Sequence, residues 1–378
     1  MRNPILFFSA FFLIYALAVY YVSRRTRQGF SCLSRFNNIA WYGGLFFLSV
    51  AYFIPRIFEQ LFSPAIESLF SWGGGMWLAI IYYGTLLFAV SDLIGLVISR
   101  CTRIKEHVYQ YCAATVVWIM IFSLCVYGGY NAMSPVITRY ELTLPGKFTP
   151  FTMAAVSDIH LGRQIGETRL ARLTALVNDQ HPDVIALLGD TIDDDLEPVK
   201  HFGGAEGLRQ FSAPWGVYAI MGNHEYLRGR GEEYAVYLTK DANLRLLRDE
   251  FVLLPNGVAL IGRDDVTRER MTGRKAISLA DFKQQLPDQT PIIVMDHNPG
   301  RFPEAAAAQL PLMISGHTHV GQLAPNQYAL RKMYPIDYGV LESDFTKLLV
   351  SSGFGTWGPP IRVGNHPEII LLHISPSK

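Results

Sequence analysis

Five short segments follow one another down the C-terminal two-thirds of the chain: Asp158-Ile159-His160, Gly189-Asp190, Gly222-Asn223-His224-Glu225, an isolated His297, and Gly316-His317-Thr318-His319. Together they offer two carboxylates (Asp158, Asp190), an amide oxygen (Asn223) and four imidazoles (His160, His297, His317, His319), with His224 beside the amide. Nitrogen and oxygen donors without thiolate suit divalent ions such as Zn, Mn or Fe, and the inventory is large enough for two of them. Asp190, at the end of an apolar run, is placed to bridge the pair.

Each segment alone carries little weight. Asp-x-His and Gly-Asp are common, and a lone histidine such as His297 is more often structural than ligating. Their shared context is stronger, because β-favouring apolar runs precede all five, at residues 153–156, 184–188, 217–221, 292–295 and 312–314. Groups at the carboxyl ends of buried strands in an α/β sheet converge on one crevice.

On these five motifs, in this order, the chain from about Leu144 onward resembles the calcineurin-like metallophosphoesterase superfamily. The resemblance implies that Asp158, His160, Asp190 and His319 hold one metal ion, and that Asp190, Asn223, His297 and His317 hold the other. It implies a non-ligand, catalytic role for His224, facing the substrate phosphate. The Asp-Arg-Gly that marks Ser/Thr protein phosphatases is absent, since Asp190 leads into Thr-Ile-Asp193-Asp194-Asp195. The ending Gly353-Phe-Gly355-Thr-Trp-Gly358-Pro-Pro-Ile-Arg362, with Asn365 and Pro367-Glu368-Ile369, looks instead like the branch of membrane-tethered bacterial phosphohydrolases.

The ligands need a scaffold, and 378 residues can hold more than one domain. Half of the residues are hydrophobic and only 17% are charged. The apolar excess lies before Met133, in stretches 4–22, 39–54, 71–91 and 108–133 that lack charge apart from Asp92 just past the third. A spanning helix needs roughly 20 apolar residues, so four transmembrane helices are expected, the second being short. Trp41, Trp72 and Tyr130 sit near segment ends as interfacial aromatics do. The first segment lacks a small-x-small cleavage site and is followed by a basic cluster, which argues for a retained helix.

Charge sets the expected orientation. Arg24, Arg25, Arg27 and Arg35 follow the first segment, and Arg100, Arg103 and Lys105 follow the third, against Arg2, Arg56 and Arg139 on the other side. The positive-inside bias puts the two basic loops in the cytoplasm and the C-terminal domain outside it. A multi-pass protein of a bacterial inner membrane with an extracytoplasmic catalytic domain is the resulting expectation. All four cysteines, Cys32, Cys101, Cys112 and Cys125, fall in the membrane part, which is compatible with an oxidising outer compartment. The net charge of +1 indicates no nucleic-acid partner.

The expected organisation is a transmembrane region over residues 1–133, a linker over 134–149 carrying Pro135 and Pro145, and a phosphoesterase-like domain over 150–378. Within that domain, helix-like polarity at 167–179, 231–243 and 279–285 alternates with strand patterns, and Asn256-Gly257 between 251–254 and 258–261 signals a hairpin. Such alternation argues for an α/β fold. The resemblance adds two facing mixed β-sheets flanked by helices.

The chemistry implied is hydrolysis of a phosphoester, phosphodiester or pyrophosphate, by a metal-activated hydroxide, with His224 assisting the departing oxygen. The partners are the phosphoester substrate and the lipid bilayer, with lipid-linked envelope compounds one reading of the substrate. Two others stand beside it: a broad phosphodiesterase or nucleotidase for soluble substrates, and a non-catalytic phosphate-ligand sensor on a membrane anchor. Asp193, Asp194 and Asp195 are candidates to orient a ligand imidazole, with a solvated loop the equal alternative for most of them. Arg362 is a candidate phosphate clamp, with a structural ion pair the equal alternative.

Overall fold

The computed structural model describes residues 4–31, 33, 37–58 and 61–377. Cys32, Arg2 and Arg35 lie outside the described residues. The chain divides into two compact units, one comprising residues 1–130 with 358–361 and the other residues 131–357 with 362–378.

The first unit is helical, with α1 (Pro4–Gly29), α2 (Asn38–Ala51), α3 (Ile54–Ile57), α4 (Pro64–Cys101) and α5 (Glu106–Ala132). The four apolar stretches of the sequence all fall on helices, but only α4 and α5 are long and apolar enough, among the described residues, to cross a membrane. With 14 residues, α2 falls short of a span. Large apolar side chains on the long helices remain exposed, Leu93 at 64%, Ile119 at 60% and Phe122 at 71% among them, which is costly in water and neutral in hydrocarbon. Asp92, the one acid in these stretches, accepts from Tyr21 at 2.7 Å and pairs with Arg25 at 2.5 Å.

The second unit is an α/β sandwich of two six-stranded mixed sheets. One sheet runs β1 (Val136–Leu144), β12 (Glu368–Pro376), β2 (Phe151–Val156), β3 (Val184–Leu188), β4 (Val217–Ile220), β5 (Arg245–Leu246). The other runs β10 (Gly339–Glu342), β11 (Lys347–Val350), β9 (Leu312–Ser315), β8 (Ile292–Met295), β7 (Ala259–Gly262), β6 (Glu250–Leu253). Strands β2 to β5 are mutually parallel, as are β7, β8, β9 and β11. Strands β3, β8 and β9 are buried at every residue, as in a sheet covered on both faces, and successive side chains point to opposite sides. Met153, Ala155, Ala186 and Leu188 meet Leu260, Ile293, Met295 and Ile314 between the sheets. Ala154, Val156, Ile185 and Leu187 point the other way, onto Leu170, Leu173 and Val177 of α6 (Glu167–Asn178). The far face of the second sheet is covered by Leu279, Phe282, Phe302 and Ala305.

The hairpin at Asn256-Gly257 forms as expected, with β6 antiparallel to β7. The linker expectation for 134–149 is corrected: residues 136–144 are strand β1, paired in parallel with β12 over its whole length, Val136 opposite Glu368. Two prolines suggested a connector, but they bracket the strand and leave its interior N–H groups free for the ladder.

Candidate metal centre

Each candidate residue sits two to four residues past the C-terminal end of a parallel strand: Asp158 and His160 after β2, Asp190 after β3, Asn223 and His224 after β4, His297 after β8, His317 and His319 after β9. These neighbouring parallel strands, three in one sheet and two in the other, bring all eight residues to one end of the sandwich. The loops turn sharply. Asp158, His160, Asp190, His317 and His319 all have positive φ, between 47° and 72°. For residues other than glycine this conformation costs about 1 kcal/mol or more each, and such strain persists where the surroundings enforce it.

The motif glycines have a steric reason. A Cβ at Gly222 would lie 2.2 Å from Asp190 Oδ1, and one at Gly316 would lie 2.4 Å from Asp158 Oδ2. Either would push a carboxylate out of place.

Three groups of donor atoms gather: Asp158 with His160 and His319, Asp190 with His297 and His317, and His160 with Asp190 and His224. In the first, His319 Nε2 lies 3.3 Å from Asp158 Oδ1 and 3.0 Å from His160 Nε2. In the second, His297 Nε2 lies 3.1 Å from Asp190 Oδ2, which is also 4.0 Å from His160 Nε2. One carboxylate oxygen therefore faces both groups. Apart from half-buried Asn223, His224 and His317, every one of these residues is buried.

The donor set fits cations. His297 Nδ1 donates to Leu188 O at 2.8 Å, so its neutral ring presents a lone pair from Nε2 towards the Asp190 carboxylate. His297 Nε2 and Asn223 Oδ1 are both buried with no hydrogen-bond partner. Acceptors facing one another in a buried crevice repel unless positive charge lies between them. The titration behaviour expresses the same demand. Burial opposes ionisation of Asp190, yet His297 and His224 hold its carboxyl well below the usual carboxylate range. Burial likewise opposes charge on His297, but Asp190 raises it well above an ordinary histidine.

The imidazoles are held from behind. Asp193 Oδ1 stands 3.3 Å from His160 Nδ1 and 3.1 Å from His224 Nδ1. Tyr334 Oη is 2.9 Å from His317 Nε2. Arg362 Nη2 is 3.1 Å from His319 Nδ1. A guanidinium only donates, so His319 Nδ1 accepts and Nε2 is the nitrogen left to face Asp158. The other Arg362 donors are taken by the carbonyls of Ser352, Gly353 and Gly355 and by Asn365 Oδ1 at 2.6–3.1 Å. With the side chain wholly buried, the expectation of a phosphate clamp at Arg362 is corrected: it ties the C-terminal loop to His319. Asp194 and Asp195 pair with Arg163 at 3.1 and 2.5 Å, leaving Asp193 as the member of that acidic run that meets the imidazoles.

His224 differs from the ligand candidates. Its N–H donates to Asp190 Oδ1 at 2.8 Å, and its Nδ1 is 3.0 Å from the carbonyl oxygen of Asp193. Burial disfavours its charge, but Asp190 and Asp193 prevail and push it up to about 10. Glu225, to which the sequence assigned no role, is fully buried and accepts the N–H groups of Gly222 at 2.8 Å, Ile192 at 3.0 Å and Asp190 at 3.1 Å. Burial and then Asp190 push its carboxyl up to about 7, against the pull of those N–H groups. Tyr334 had no motif to announce it.

An α/β sandwich with this donor set at the ends of its parallel strands defines a metal-dependent phosphoester hydrolase. Residues 151–321 match the family model of the calcineurin-like phosphoesterases. The domain formed by these residues is thus of the calcineurin-like phosphoesterase type. It is 27% identical to a metallophosphoesterase of Campylobacter jejuni over 97% of both chains. It is 29% identical to a metallophosphoesterase of Aquifex aeolicus, over 67% of this chain and 98% of the relative. A zebrafish (Danio rerio) protein named as a transmembrane protein with a metallophosphoesterase domain is 28% identical over 78% of this chain and 70% of its own.

Proposed function

We propose that this chain is a membrane-anchored phosphohydrolase with a dinuclear metal site, cleaving phosphodiester or pyrophosphate bonds of lipid-linked envelope compounds. The observation that carries the reading is the Asp190 carboxylate facing both donor groups, His297 at 3.1 Å on one side and His160 at 4.0 Å on the other. Asp158, His160, Asp190 and His319 would hold one ion, and Asp190, Asn223, His297 and His317 the other. Two such ions supply Lewis acidity for the phosphoryl oxygens and a nucleophilic water at neutral pH. Asp193 orients His160 and His224, and Tyr334 orients His317. His224, with Nδ1 committed to Asp193, keeps Nε2 for a proton delivered to the departing oxygen.

Helices α4 and α5 support membrane association, as does the name of the zebrafish relative. In this reading α1 and the segment formed by α2 with α3 complete a four-span anchor, and the basic residues near the helix ends orient the catalytic unit away from the cytoplasm. Tethering to a bilayer raises the effective concentration of lipid headgroups, which favours lipid-linked substrates over soluble ones.

Metal analysis of the purified full chain, coupled to a panel of phosphoesters that includes lipid headgroup compounds, tests the reading. About two ions per chain and turnover that peaks on lipid-linked diesters or pyrophosphates are expected. Turnover confined to soluble nucleotides would overturn the substrate assignment, and no turnover by the metal-loaded protein would overturn the hydrolase.

A further inference from the structure

Outside the donor set, one large aromatic side chain lies against His224 and stays half in solvent. Trp357 is 52% exposed, and its ring centroid is 6.1 Å from that of His224 at an interplanar angle of 65°. His160 flanks the same imidazole at 4.6 Å. His224 thus has a proposed metal ligand as one neighbour and an exposed indole as another.

The main chain that carries the indole is held firmly. Trp357 N donates to Gln322 Oε1, and Gln322 Nε2 donates to Trp357 O, both at 3.1 Å. Gln322 is buried, three residues past His319, and its own N–H bonds to His319 O at 2.8 Å. Upstream, Phe354 N donates to Ser157 O at 2.8 Å and Gly355 N to Asp158 O at 2.7 Å. A Cβ at Gly355 would stand 2.3 Å from Ile159 O, so the segment needs glycine to lie this close. Trp357 is fixed on both sides to ligand-bearing segments, and such preorganisation reduces the entropy lost on binding.

An aromatic face carries the negative side of the ring quadrupole and repels phosphoryl oxygens. What Trp357 can hold is the uncharged part of a substrate. We propose that Trp357 is a specificity-determining residue whose exposed face receives the departing group of the phosphoester, and that this group carries a ring. The assignment to the departing side rests on the hydrolase reading, in which His224 serves the departing oxygen. A planar indole stacks on nucleoside, sugar or aryl rings alike, whereas a flexible acyl chain gains nothing from planarity.

Two measurements on the metal-loaded full chain test this. The first is calorimetric binding of benzylphosphonate against ethylphosphonate, which needs no turnover. The parent should prefer the benzyl compound by about tenfold or more, Trp357→Phe should keep most of the preference, and Trp357→Ala should lose it. A parent without preference, or a preference untouched in Trp357→Ala, overturns the proposal. The second is hydrolysis of methyl 4-nitrophenyl phosphate against methyl trifluoroethyl phosphate. Trp357→Ala should lose about ten- to a hundredfold in kcat/KM on the first and little on the second, and equal losses on both overturn the departing-group assignment. A parent that prefers benzylphosphonate but hydrolyses neither these diesters nor a pyrophosphate diester removes the hydrolase reading and leaves the aromatic subsite standing. Nucleoside and glucosyl phosphonates in the same binding assay separate the two sources of such a ring, the true one showing the larger loss in Trp357→Ala.

Discussion

The buried carboxylate of Glu225 accepts the main-chain N–H of Asp190 at 3.1 Å, so the loop ending β3 hangs on a side chain from the loop ending β4. The same carboxylate takes the N–H groups of Gly222 and Ile192. Three donors from two ligand-bearing turns share one acceptor, and the geometry of Asp190 depends on it.

Removing that acceptor should therefore damage the fold and the metal centre together. Each buried N–H left unpaired costs about 1–3 kcal/mol, so Glu225→Ala should lose about 3 kcal/mol or more and lower Tm by roughly 6 °C or more. Glu225→Gln keeps one oxygen and should lose less. Thermal unfolding of the purified variants reads this out, and an unchanged Tm in Glu225→Ala would show that the three N–H groups find other partners.

How much of this was legible in the sequence depends on how local the cause is. The strand-then-ligand pattern was visible because a five-residue apolar run such as Val184–Leu188 and the motif behind it are contiguous. Strand β1 was not, because its partner β12 begins 232 residues away, Val136 opposite Glu368, and nothing near 136–144 reports that pairing. The choice between a clamp and a structural role for Arg362 was hidden for the same reason, since only the fold reveals the carbonyls that enclose it. The proposed metal donors were legible as types, while Glu225, Tyr334 and Trp357 meet the site through contacts that spacing does not encode.

The shared carboxylate makes an asymmetric prediction for metal content. Asp190→Ala should lower loading from about two ions per chain towards none, whereas His160→Ala and His297→Ala should each weaken mainly one site. Inductively coupled plasma analysis of the three variants, after identical dialysis, gives the stoichiometries. Undiminished loading in Asp190→Ala would rule out the bridge.

The proposed orientation of the catalytic unit rests on the basic residues at the C-terminal ends of α1 and α4 and just beyond, Arg24, Arg25, Arg27, Arg100, Arg103 and Lys105 among them. A reporter active only outside the cytoplasm, fused after Lys378, should be active. Activity from a cytoplasm-only reporter at the same junction would reverse the topology, and with it the case for an envelope substrate.

The role of His224 is the most exposed to experiment. Its Nδ1 is engaged by Asp193 at 3.0–3.1 Å and its main chain by Asp190, so truncating the ring need not disturb either donor group. His224→Ala should retain both metals yet lose phosphodiester turnover by roughly a hundredfold or more, the usual scale for a general acid. The loss should shrink when the departing group is a nitrophenolate, which leaves without a proton, and persist when it is an alkoxide. A histidine that only positioned the phosphate would penalise both substrates alike. The decisive quantity is thus the ratio of variant to parent rates on an aryl and an alkyl diester, with metal content verified for each protein. A variant that keeps its full rate on the alkyl ester would reduce His224 to a neighbour of the site.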